Sequence, residues 1–165
     1  MTRKTTTGLC ALLLALCGWL AVPAPAQAEI DFGVRGGLYS DAEAGFLGVE
    51  LLTGINRNWF FNPNFEYVFV DDGDLYTLNA DFHYDLPVRS NYALWVGGGP
   101  AVIFNKVDAP RFCRNCDDDS ETDLGLNLLG GISFAKRGPI RPYAQGKVIL
   151  SDNTEAVVAV GLRFH

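Results

Sequence analysis

The chain has 165 residues, with 19 acidic against 13 basic side chains and a formal net charge of −6. An acidic balance with no basic run argues against nucleic-acid binding. After position 28 no apolar run reaches the ~18 residues of a membrane helix, which excludes that mode of spanning and leaves spanning by strands open.

Residues 1–28 read as a secretory signal. Arg3 and Lys4 give a positive start, and Leu9 to Val22 is apolar but too short and too rich in small residues to span. Ala26-Gln27-Ala28 fits a cleavage site. Cys10 and Cys17 each follow a leucine, which weakens a lipoprotein reading. Cleavage leaves 29–165 as a single domain. Of the cysteines, Cys113 and Cys116 remain, and in an exported protein they are expected to form a disulfide.

Eight alternating segments follow, separated by turn signals. Asp31 to Ser40 carries Phe32, Val34 and Leu38 on one side and Arg35 on the other. Ala44 to Thr53 sets Leu47, Val49 and Leu51 against Glu50. Trp59 to Val70 sets Trp59, Phe61, Phe65, Tyr67 and Phe69 against Asn62, Asn64 and Glu66. After the hairpin signal Asp71-Asp72-Gly73-Asp74, Gly73 to Leu86 alternates over its whole length. Tyr76, Leu78, Ala80, Phe82, Tyr84 and Leu86 oppose Thr77, Asn79, Asp81, His83 and Asp85. Tyr92 to Lys106 is next. A long loop is expected over Val107 to Thr122, followed by strands Asp123 to Ala135, Ile140 to Ser151 and Thr154 to Phe164. A period of two repeated in this way predicts strands. Short connections and no helical pattern predict an all-β fold, an up-and-down antiparallel barrel or a sandwich.

Alternation alone does not say which face meets water. The polar faces are built from Gly, Asn, Ser, Thr, Gln and isolated charges, and after residue 28 the only lysines are Lys106, Lys136 and Lys147. A water-exposed sheet surface carries more Lys and Glu. Aromatics collect near the ends of the apolar faces: Trp59, Phe61, Phe69, Tyr76, Tyr84, Tyr92, Phe104, Phe134 and Phe164. Both features favour an inverted, eight-stranded transmembrane β-barrel over a soluble one, with its apolar face in lipid and interfacial aromatics at both rims. With the N-terminus on the periplasmic side, the three short turns on that side hold Arg57, Arg89, Lys136 and Arg137 without an acid. The opposite connections hold most of the aspartates.

On these grounds the sequence resembles the eight-stranded outer-membrane barrels of Gram-negative bacteria, the OmpA/OmpX type. The resemblance covers 29–165 and includes a closing strand, VVAVGLRFH, with Phe164 penultimate and His165 last. It implies a place in the outer membrane among lipid and lipopolysaccharide, and a monomer is expected there. It also implies recognition of the last strand by the barrel-assembly machinery. It carries no catalytic motif.

Inward parity collects Arg35, Glu50, Glu66, Asp81, His83, Asp85, Arg141, Lys147 and Arg163. The interior of an eight-stranded barrel is about filled by its own side chains, so these are expected to pair as a plug. A narrow gated pore is the alternative. His83 lies between two acids, with no second strong ligand for a metal and no serine two positions away, so neither a metal site nor a lipid A-modifying enzyme is expected. No cofactor is expected. Cys113-Arg114-Asn115-Cys116 precedes three aspartates, which disfavours a reactive thiol. The acid clusters at 71–74 and 117–119 lack the spacing of a calcium loop. The role expected is structural or a surface interaction.

Overall fold

A computed structural model describes residues 30–70, 73–107 and 119–165. The expected signal segment, the Cys113–Cys116 pair and most of both acid clusters lie outside those residues. Eight strands form one closed barrel in sequential order, all pairs antiparallel. They are β1 Ile30–Tyr39, β2 Ala44–Gly54, β3 Trp59–Val68, β4 Gly73–Asp85, β5 Ala93–Val107, β6 Asp119–Ser133, β7 Ile140–Leu150 and β8 Glu155–Phe164. Pairing of β1 with β8, Phe32 opposite Phe164 through Tyr39 opposite Val157, closes the ring.

Most strand ends fall within two residues of the expectation, and the start of β6 differs by four. The loop read over Val107 to Thr122 is shorter, because β5 and β6 pair as far as Val107 opposite Asp119. The polar residues Ser120, Glu121 and Thr122 read as loop in sequence but pair with Lys106, Asn105 and Phe104.

The outer wall is apolar. Leu124 is 78% exposed, Val158 67%, Leu38 65% and Val160 61%. The charged side chains Arg35, Glu50, Glu66, Asp81, Lys147 and Arg163 are buried. In water such a barrel would waste the hydrophobic effect, whereas in lipid both faces are satisfied, and closure leaves no unpaired edge. The barrel therefore spans a membrane. Among the described residues no helix is long and apolar enough to cross one.

The outward aromatics are not spread evenly around the rims. They form contacts across β3, β4 and β5: Trp59 with Tyr84, Phe61 with Phe82, Phe65 with Tyr76, and Tyr76 with Phe104. Aliphatic side chains dominate the belt of β6, β8, β1 and β2.

Candidate functional site

Among the described residues the buried polar side chains concentrate in the lumen, layered along the barrel axis. At the end where β1 finishes, Tyr39, Ala44, Phe46, Val68, Ala101, Ile149, Val157 and Ala159 pack into an apolar cluster. Tyr39 and Phe46 meet edge to face, 5.4 Å between centroids.

Below this cluster lies a chain of charges. Arg35 Nη2 lies 3.0 Å from Glu66 Oε1, and Lys147 Nζ donates to Glu66 Oε2 at 2.8 Å. The Tyr39 hydroxyl donates to the same Glu66 oxygen. Glu50 stands between Arg35 Nη1, at 3.6 Å, and Arg163 Nε, at 2.7 Å. Ionised carboxylates this deep are tolerable only because each faces more than one donor.

An amide layer adjoins the charges. Asp81 accepts from Asn64 Nδ2 at 2.9 Å and Asn127 Nδ2 at 2.8 Å, and Asn79 Nδ2 donates to Asn64 Oδ1 at 3.0 Å. Asn62 makes a different bond, from its Nδ2 to the Leu51 carbonyl at 2.7 Å. Leu51 faces Pro63, and Pro63 has no N–H, so the ladder between β2 and β3 breaks there. The Asn62 side chain supplies the missing donor.

The lower layer is aromatic. His83 stacks on Trp95, 5.8 Å between centroids at 12°, and the Arg163 guanidinium carbon lies 5.0 Å from the Trp95 centroid and 4.3 Å from that of Tyr143. At the mouth, Asp31 takes Arg141 and His165, the latter at 2.8 Å through Nδ1, which ties β1 to β7 and to the last residue.

No family model matches this sequence, and no curated protein matches it. Among solved structures, the N-terminal β-barrel domain of Pseudomonas aeruginosa OprF is similar, with a TM-score of 0.65 at 14% identity over 84% of this chain and 98% of that one. Neisserial surface protein A gives 0.62 at 16% identity, over 82% and 94%. Ail, the attachment invasion locus protein of Yersinia pestis, solved with the heparin analogue sucrose octasulfate, gives 0.60 at 13% identity, over 82% and 95%. The belt and the fold together make this a membrane-spanning β-barrel similar in fold to these proteins.

Within the barrel, the nine residues grouped by parity take four different positions. Arg35, Glu50, Glu66, Lys147 and Arg163 form the ion chain. Asp81 departs from the expected acid–arginine pairing, because amides and not an arginine donate to it. His83 does not bridge its flanking acids; its ring lies against Trp95. Asp85 and Arg141 sit at the mouth, only partly buried. Tyr39, Phe46, Trp95 and Tyr143 went unread as lumen residues, although parity carried the signal. Trp95 shares the face of Gly97, and Tyr143 that of Arg141 and Gln145. Large aromatics suggest lipid, and that expectation hid them.

Proposed function

We propose that the protein is a monomeric, closed outer-membrane barrel, with a structural role in the envelope or a role in contacts made by its connections at the outer end. The observation that carries this reading is the block across the lumen above its short-turn end. The ion chain around Glu50 and Glu66 lies directly beneath the apolar cluster of Tyr39, Phe46, Val68, Ile149 and Val157. A solute crossing it would have to break buried pairs and then wet an apolar constriction, and both steps are costly. On this reading the periplasmic end is the one carrying the N-terminus of β1 and the short basic turns. The outer end lies among lipopolysaccharide, and the assembly machinery reads β8.

The supporting neighbours are barrels of the same size, and two of their names speak of surface and of attachment. Planar-bilayer recording tests the closed lumen, with heat-modifiable gel mobility as the check on folding. A narrow channel is the second reading. It is favoured by the charge chain itself, since Arg35 faces both Glu50 and Glu66 and has two partners between which to exchange. An enzyme acting on lipid A is a weaker third, since its nucleophile–base pair has no evident candidate here.

A further inference from the structure

The lumen is not filled along its whole length. At the end with the short turns a cavity of about 590 Å³ opens, with His83, Trp95 and Arg163 in its wall and Lys136, Arg137 and Asp85 towards its mouth. Four cationic side chains line it, Lys136, Arg137, Arg141 and Arg163, against the carboxylates of Asp31 and Asp85. Asp31 is already held by Arg141 and His165. Asp85 subtracts from the attraction for an anion but leaves the wall net cationic.

The inner wall is a built surface. Trp95 and Tyr143 meet edge to face at 5.8 Å, with the Arg163 guanidinium against both. Two glycines make room for the rings. A Cβ at Gly131 would lie 2.3 Å from Trp95 Cζ2, and one at Gly161 2.5 Å from Tyr143 Cε1. Arg163, Trp95 and His83 are only 5%, 3% and 1% exposed. Each nevertheless has a buried nitrogen without a hydrogen-bond partner: Arg163 Nη2, Trp95 Nε1 and His83 Nε2. Guanidinium and indole nitrogens are donors only. Buried donors normally find acceptors. Two unserved ones therefore lie behind the wall of a cavity rich in cationic side chains.

We propose that this vestibule binds a small free anion of the carboxylate or phosphate class. Arg163 and Trp95 are its inner donors, turning toward it on binding, and Lys136 and Arg137 attract it at the mouth. The bound anion sits below the ion chain and does not pass it.

All eight strands and their pairings lie within residues 30–165, so the test uses the refolded chain from Glu29 in zwitterionic micelles. Trp59→Phe leaves Trp95 as the only tryptophan of that chain. Phosphate and acetate are titrated against chloride at matched ionic strength while Trp95 emission is followed. A saturable change is expected with phosphate or acetate and not with chloride. It is expected to weaken at least fivefold in K136Q/R137Q, two positions on the exposed rim, with folding checked by gel mobility. No saturable change, an equal change with chloride, or full strength in the double variant overturns the proposal. So does a saturating response to phosphatidylglycerol in the micelle without free anion, which would mark a headgroup site. Conductance is a separate readout, so failure here leaves the closed-lumen reading standing.

Discussion

Arg163 on β8 donates to Glu50 on β2 at 2.7 Å across a strand that presents only Gly33 between them. Gly33 is paired with both, opposite Glu50 on one side and Arg163 on the other. The same device recurs one strand on. Gly48 is paired with Arg35 and with Glu66, which meet over it at 3.0 Å. Ion pairs two strands apart close because the strand between them lacks a side chain at that height. A Cβ at Gly33 would lie 2.6 Å from Glu50 Cγ and Oε1. Gly33→Ala is therefore expected to destabilise the barrel by about 1–3 kcal/mol, as overpacking does. The measurement is the urea midpoint of the chain folded in lipid vesicles, and an unchanged midpoint contradicts the glycine-gap account.

Glu66 carries more of the network than Glu50, because Arg35, Lys147 and Tyr39 all converge on it. Glu66→Gln leaves two buried cations against a neutral amide, and a loss of about 3–5 kcal/mol is expected, the usual cost of breaking a buried pair from one side. Adding Lys147→Met is expected to return part of that loss, since it removes one stranded charge. A double-mutant cycle reads the coupling. Losses that simply add would show that the two residues are not coupled.

Asn62 is expected to matter through Pro63. Asn62→Ala removes the donor to the Leu51 carbonyl, at a cost of about 1–3 kcal/mol for a buried acceptor left unserved. Pro63→Ala in that background restores a backbone N–H in the right place and is expected to recover part of the stability. Recovery is absent if Asn62 acts only through its weaker contact to Glu50, at 3.2 Å.

The belt is tested from outside. Val160 is 61% exposed and paired with Gly36 near the middle of β1. Val160→Arg is expected to cost about 2–4 kcal/mol in lipid vesicles, the depth-dependent penalty for arginine facing hydrocarbon. A neutral effect would place that face in water.

The fold was legible because period-two alternation persists through eight segments and the polar faces are poor in lysine. The closed ring follows from hairpins alone once each strand has one apolar face. The pairings inside were less legible. Parity separates inward from outward residues but says nothing of height or of neighbours two strands away. Arg35 and Glu66 meet only through the register that sets both beside Gly48. His83 looked like part of an acid cluster because Asp81 and Asp85 flank it in sequence. Its contact, Trp95, comes from β5, and only the register Asp85 opposite Trp95 brings them together. The β5–β6 extension was hidden by polar residues that read as loop.

The central claim is that the side chains of the barrel close its own lumen. Single-channel recording of the refolded chain in planar bilayers tests it most directly, on protein shown by gel mobility to be folded. The expected record is a bilayer with no sustained conductance at either polarity. Stable, ohmic current steps from folded protein would contradict the account.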